Sequence, residues 1–254
     1  MRILRVGPRE RERWTHGIVA LEAGASYPLG ADRFSIDHGA NYFAFTERIG
    51  EPNYYIAVEA GEVLAVGCGV LRTEPRVWYL CDVKVRPDAR GRHIPLWMMD
   101  RGFVPNYLRC QRGYAITMDP PEGENRVVRL AQRFRWLSIG LGPKLRIWSM
   151  SAGEVSAVLP VMERHRGVVS WESLAGIKDI VLASTGKPMP LLHANFRGEG
   201  TEPKAGAVHM FCAPDGDALT TELLAMGVAP TASASIIHHR MGGWDWGFVR
   251  TSEI

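Results

Sequence analysis

Residues 54–73, YYIAVEAGEVLAVGCGVLRT, set two apolar runs on either side of Ala60-Gly61-Glu62. That spacing predicts a β-hairpin and commits the first half of the chain to antiparallel pairing. The flanking segments follow by the same kind of reading. MRILRVG alternates apolar and polar residues and predicts a strand ending at Gly7-Pro8. Trp14, Ile18 and Leu21 recur at helical spacing over 9–23, closed by Gly24. Residues 27–42 are rich in turn formers and read as a loop, and 42–50 as a short helix. VWYLCDVKV (77–85) predicts a strand. Leu96, Met99, Phe103, Tyr107 and Leu108 mark the helix after it. GYAITMD (113–119), ENRVVRLAQRFRW (124–136) and KLRIWSM (144–150) then read as strand, helix and strand. Antiparallel strands early and strand–helix–strand units later predict an α+β class with a mixed sheet.

Composition narrows the function classes. With 46% hydrophobic residues in 254, the chain can bury a sizeable core, as one large domain or two small ones. A formal charge of +3 is too mild to argue for nucleic acid, which would call for a clustered basic stripe, and no nucleic-acid partner is expected. Cys68, Cys81, Cys110 and Cys212 form no CxxC pair, so no metal or redox motif is expected. The N-terminus lacks an apolar signal core, and no run of about 18 apolar residues predicts a membrane span. A cytoplasmic location is expected.

Residues 83–99, VKVRPDARGRHIPLWMM, carry the predicted strand into the predicted helix through Arg90-Gly91-Arg92-His93. A helix start offers unpaired N–H groups and the positive end of a dipole. A glycine there lets a phosphate approach the backbone. The plain alternative is a solvated basic turn.

Four motifs carry a resemblance to the GNAT acyltransferase superfamily over about residues 1–150: the hairpin YIAVEAGEVLAVGCGVL, the strand–turn–helix LCDVKVRPDARGRHIPLWMM, the strand GYAITMD and the helix ENRVVRLAQRFRW. The resemblance implies acetyl-CoA or another acyl-CoA as co-substrate, an amine as acceptor, no metal, and direct acyl transfer in a ternary complex. It assigns the cofactor to Val83, Val85, Arg90, Gly91, Arg92, His93, Ile94 and Asn125. The amides of Val83 and Val85 hold the thioester carbonyl and then its oxyanion. Asp82, which shares a face with Leu80 and Lys84 by strict alternation, is the catalytic base. As a plain strand carboxylate it would instead pair with Lys84 or an arginine. Asn125 would otherwise be a helix cap.

The sequence also departs from the family pattern. In the family's turn, Arg/Gln-x-x-Gly-x-Gly/Ala, Arg90 takes the first position, but His93 and Pro95 stand where glycines are expected. Pro95 removes one N–H donor, although it suits a first helical turn. Arg90, Arg92 and protonated His93 can replace the lost donors with charge-assisted bonds, each worth roughly 1.5–3 kcal/mol. The family's acid, a tyrosine, aligns with Ala131, leaving Tyr79 and Tyr107 as candidates.

The second half reads less directly. SAGEVSAVLPVMERHRG (151–167) predicts a helix interrupted at Pro160, and SLAGIKDIVLAS (173–184) fits helix or strand. Residues 206–241 parallel 113–150: glycine, short strand, Pro/Gly break, helix, loop, strand, Met. A shortened second GNAT-like copy follows, without an Arg-Gly cradle, over 151–254 beside an acyl-CoA-binding domain at 1–150. It would serve packing, dimer formation or acceptor covering. GGWDWGFVRT (242–251) reads as an edge strand, and His238-His239 point to opposite faces rather than to a metal. The leading function is an acyl-CoA-dependent N-acyltransferase acting on a primary amine of a small molecule or peptide. The alternative is a catalytically silent acyl-CoA-binding or regulatory protein.

Overall fold

A computed structural model describes residues 1–29, 32–133 and 138–254. The hairpin forms as expected from β4 (Gly50–Glu59) and β5 (Glu62–Arg72). Glu59 pairs with Glu62, and Ala60 and Gly61 take positive φ, the two-residue turn that matches strand twist. Most of both strands is buried, and they become interior strands, second and third from one edge, of a ten-stranded mixed sheet. β1 (Arg2–Val6) flanks the hairpin on one side and β6 (Trp78–Val85) on the other. β6 crosses through α3 (Ile94–Tyr107) to a parallel neighbour, β7 (Gly113–Met118). α4 (Arg126–Gln132) then leads to β8 (Ile139–Met150), and α1 (Arg11–Ala23) and α2 (Ala44–Ile49) precede the hairpin.

The second half extends the same sheet. α5 (Ala152–Arg166), β9 (Ser170–Ser173), β10 (Asp179–Leu182), β11 (Leu191–Asn195), β12 (Val208–Pro214), α6 (Ala218–Ala225) and β13 (Ala232–His239) follow in order. The sheet runs β1-β4-β5-β6-β7-β13-β8-β12-β11-β9, so β13 from the end of the chain lies between β7 and β8. This order is a two-fold exchange of strands. β7 and β12 each have a parallel neighbour over three residue pairs, 78–80 with 113–115 and 191–193 with 208–210. β7 pairs with β13, and β12 with β8. At the centre Ser233 faces Arg146 and Ala234 faces Leu145, flanked symmetrically by Ala232–Ile147 and Ser235–Lys144. The repeat read between 113–150 and 206–241 is therefore a structural one, β7-α4-β8 against β12-α6-β13. One feature is not repeated. Residues 196–207, the crossover from β11 to β12, contain no helix where α3 joins β6 to β7.

Several expectations are corrected. The loop expected at 27–42 contains β2 (Tyr27–Leu29) and β3 (Asp32–Asp37), which form a three-stranded sheet with β10 of the second half. The strand is completed by a partner some 145 residues away, which no local signal reveals. That pairing also settles 173–184 as partly strand. α5 runs through Pro160, started by a capping box at Ser151 and Glu154 and anchored by buried Val155, Val158, Val161 and Met162. The segment 242–251 forms no strand; Trp246 is buried against Tyr114 and Phe248. The four cysteines are free. No described helix is long and apolar enough to cross a membrane. Residues 134–136 of the predicted 124–136 helix lie outside the described residues.

Candidate active site

The centre of the site is a break in β6. Its pairing with β5 steps from Val66–Lys84 to Cys68–Cys81, so two residues of β6, Asp82 and Val83, lie opposite the single Gly67 of β5. Asp82 sits in this bulge with φ 58°. The extra residue changes the alternation expected from the sequence. Leu80 lies with Trp78 and Val83 on the face toward α3, close to Gly69, Gly67 and Met98. Cys81 and Asp82 both turn to the opposite face, toward α1. Asp82 and Lys84 therefore share a face, as read, but Leu80 does not.

The bulge also separates β6 from β7. Their parallel pairing stops at Leu80–Ala115, and the last five residues of β6 have no β7 partner. Arg86 N–H donates to Leu64 O, so alternation turns the amides of Val83 and Val85 away from β5, toward the opened side. Val83 and Leu80 are exposed there, at 58% and 41%.

At the end of β6 the chain turns through Arg90–His93 into α3. Gly91 has φ 82°, and no atom lies within 4 Å of where a Cβ would sit. His93 caps the helix in the left-handed region, and Pro95 falls in the first turn. The amides of Leu96 and Trp97 are drawn back to His93 O. The Ile94 side chain is fully buried beneath the turn beside Met98, so only its main chain can face a ligand. Arg90 is exposed and has no ionic partner among the described residues, whereas Arg92 makes a bidentate pair with Glu59 at 2.8 and 2.9 Å. An open positive-φ glycine, a free arginine and a helix start are the parts an anionic diphosphate requires, and the turn fits coenzyme A to that extent.

On the α1 side Asp82 joins a buried polar cluster. Tyr42 Oη donates to Asp82 Oδ2 at 2.7 Å. Lys84 Nζ is ion-paired with both Asp82 and Glu22. His38 Nε2 lies 3.5 Å from Glu22. Burial works against the charged Glu22, yet His38 and Lys84 beside it hold its carboxyl below the usual range. Burial likewise opposes the charged Lys84, but Asp82 and Glu22 raise it well above its ordinary value, so it stays an ammonium. Burial and then Asp82 push the Tyr42 hydroxyl far up, so it donates a hydrogen bond without ionising. Glu22, Tyr42 and His38 were not singled out from the sequence. Glu22 carried a signal: it lies four residues after Ile18, on the apolar side of α1.

The remaining candidates are placed elsewhere. Asn125 caps α4, accepting from Val127 and Val128 while its amide donates to Met118 O and Asp119. Tyr79 is fully buried, and its hydroxyl donates to Glu253 O. Tyr107 lies in the last turn of α3, beside Arg240, at the opposite end of the helix from the turn. Ala131 lines a hollow of about 250 Å3 with Ile139–Leu141 of β8.

No family model and no curated protein matches this sequence. Solved structures do match. A tandem GNAT protein from the clavulanic acid biosynthesis pathway is 11% identical, covers 96% of this chain and 100% of its own, and superposes with a TM-score of 0.51. An IAA acetyltransferase from Bacillus cereus is 15% identical over 56% of this chain and 79% of its own, with a TM-score of 0.35. An aminoglycoside N-acetyltransferase in complex with CoA is 14% identical over 52% and 88%, with a TM-score of 0.33. The first of these follows the chain through both halves, as does the strand exchange about β8 and β13. This chain has the fold of the GNAT acetyltransferases, in a tandem form whose second copy shares the sheet of the first.

Proposed function

We propose that this protein is an acyl-CoA-dependent N-acyltransferase, with the acyl-CoA site in residues 1–150 and a covering role for 151–254. The observation that carries the reading is the bulge at Asp82: it parts β6 from β7 and directs the Val83 and Val85 amides into the gap leading to Arg90–His93. Pantetheine can pair with those amides as an added strand would. The diphosphate meets Arg90, Gly91, Arg92 and His93 at the start of α3, with Arg92 released from Glu59.

In the transfer, the amine nitrogen attacks the thioester carbonyl, and the amide N–H groups of the gap stabilise the oxyanion. The C–S bond then breaks and the thiolate leaves. Asp82 takes the amine proton. Glu22, Lys84 and His38 surround Asp82 with polar groups on the α1 face, where the neutral amine meets the carboxylate. Tyr42 fixes the Asp82 carboxylate. Asn125 serves α4 as a cap and is not assigned to pantetheine.

A second reading, a silent acyl-CoA binder, is favoured by two observations: Lys84 and Tyr42 already hold Asp82, and Ala131 stands where the family acid would. Thermal-shift titration with acetyl-CoA, longer acyl-CoAs and free CoA tests binding, since a ligand of the folded state raises the melting temperature. Thiol release with a panel of primary amines tests turnover. Binding with release supports the enzyme. Binding without release supports the silent protein, and no binding overturns both.

A further inference from the structure

A second cleft lies at the other end of β6 from the turn. It has a volume of about 370 Å3, within the range of small-molecule sites. Both halves build it: Arg48 of α2 and Arg72 at the end of β5 come from the first, and Glu172, Arg197, Arg250 and Glu253 from the second. Each wall glutamate is used by an arginine. Arg48 pairs with Glu172, Arg72 with Glu253, and Arg197 with Glu74 at 3.4 Å. Arg250, half-buried, has no acidic partner among the described residues. Arg72 is only 5% exposed, and its Nε–H is buried with no acceptor. Four guanidinium groups against three carboxylates leave the walls with an excess of one positive charge.

We propose that this cleft binds a small molecule through one carboxylate, held by Arg250. A guanidinium binds a carboxylate with two parallel hydrogen bonds. An excess of one positive charge matches a monoanion, and a phosphate dianion would meet Glu172 and Glu253 with charge to spare. The position gives the site its role. Phe45, which lines the cleft, has Lys178 Nζ 4.3 Å from its ring centroid. Tyr79, three residues before Asp82 on β6, donates its hydroxyl to the main-chain oxygen of Glu253 in the cleft wall. On the acyltransferase reading, which this extension rests on, the carboxylate belongs to the amine acceptor, which approaches from the seam while acyl-CoA enters from the turn. The acceptor class is then an amino acid or a close relative.

The test is calorimetric titration of the full chain with a set of amino acids, the matching decarboxylated amines and inorganic phosphate, alongside free CoA. The expected result is binding of at least one amino acid, at least tenfold weaker binding of its decarboxylated amine, and a further loss of at least tenfold in Arg250→Ala. Arg250→Lys recovers part of the affinity, and CoA binds both variants as it binds the wild type. Equal binding of amino acid and amine, binding of neither, or phosphate binding as tightly as carboxylate overturns the proposal. The wild-type comparison decides even if a variant does not fold. A chain that binds amino acids but not CoA keeps the cleft assignment and loses the acyltransferase reading.

Discussion

Tyr42 Oη donates to Asp82 Oδ2 across 2.7 Å, joining the segment before α2 to the bulge of β6. The contact holds one oxygen of the proposed base while Lys84 holds the other. Asp82→Asn keeps the shape and removes the charge. Turnover should fall by about a hundredfold or more, the usual scale for a lost general base, while CoA affinity stays within about twofold. Steady-state kinetics across pH and a CoA titration measure both. Unchanged turnover at every pH would remove Asp82 from the mechanism.

Arg90→Ala should weaken CoA by about tenfold or more, the loss of one charge-assisted bond. Arg92→Ala should cost less, because Arg92 must first leave Glu59. Calorimetry should also return one CoA per chain, since 196–207 offers no helix start in the second copy. A stoichiometry of two would contradict the assignment.

His193 governs part of the acid limb of stability. It is 3% exposed, and burial, then Lys178 and Arg48, push its pKa down to about 3. Between pH 6.5 and 3 the unfolded chain binds the proton that the folded chain refuses. Stability is therefore full above about pH 6.5 and falls as the pH drops toward 3, by on the order of 5 kcal/mol from this group. His193→Gln should flatten that limb in urea titrations from pH 7 to 4. An identical pH profile would show that another group controls it.

Gly39 joins the halves by close approach. Its φ is 60°, and a Cβ there would lie 2.0 Å from Gly176 O. Gly39→Ala should cost about 3 kcal/mol, from overpacking and left-handed strain together. Gly61→Ala, at φ 87° with nothing within 4 Å, should cost only about 1 kcal/mol. Urea midpoints at constant m-value compare the two. Equal costs would mean that the seam yields at Gly39.

Apart from β2 and β3, the first-half elements were legible because each is fixed by neighbours close in sequence. Ala60-Gly61 sets the hairpin, Pro95 suits the start of α3, and Gly24 closes α1. The repeat was legible as an order of elements. Its register was not: the sequence parallel begins at Gly206, and the strand equivalent to Gly113 begins at Val208. The face of Asp82 was half legible. Alternation placed it with Lys84, but the bulge that moved Leu80 to the other side is set by how β6 meets β5.

The sequence by itself determined the mixed-sheet class, the strand–turn–helix around Arg90-Gly91 and the existence of a second, cradle-free copy, because periodicity and turn chemistry act over a few residues. Only the tertiary structure decided that β13 inserts between β7 and β8, that Glu22 and Tyr42 meet Asp82, and that Arg250 is left over at the seam. Each of those depends on pairing between residues far apart in the chain, where burial and charge balance choose the partner and no local pattern records the choice.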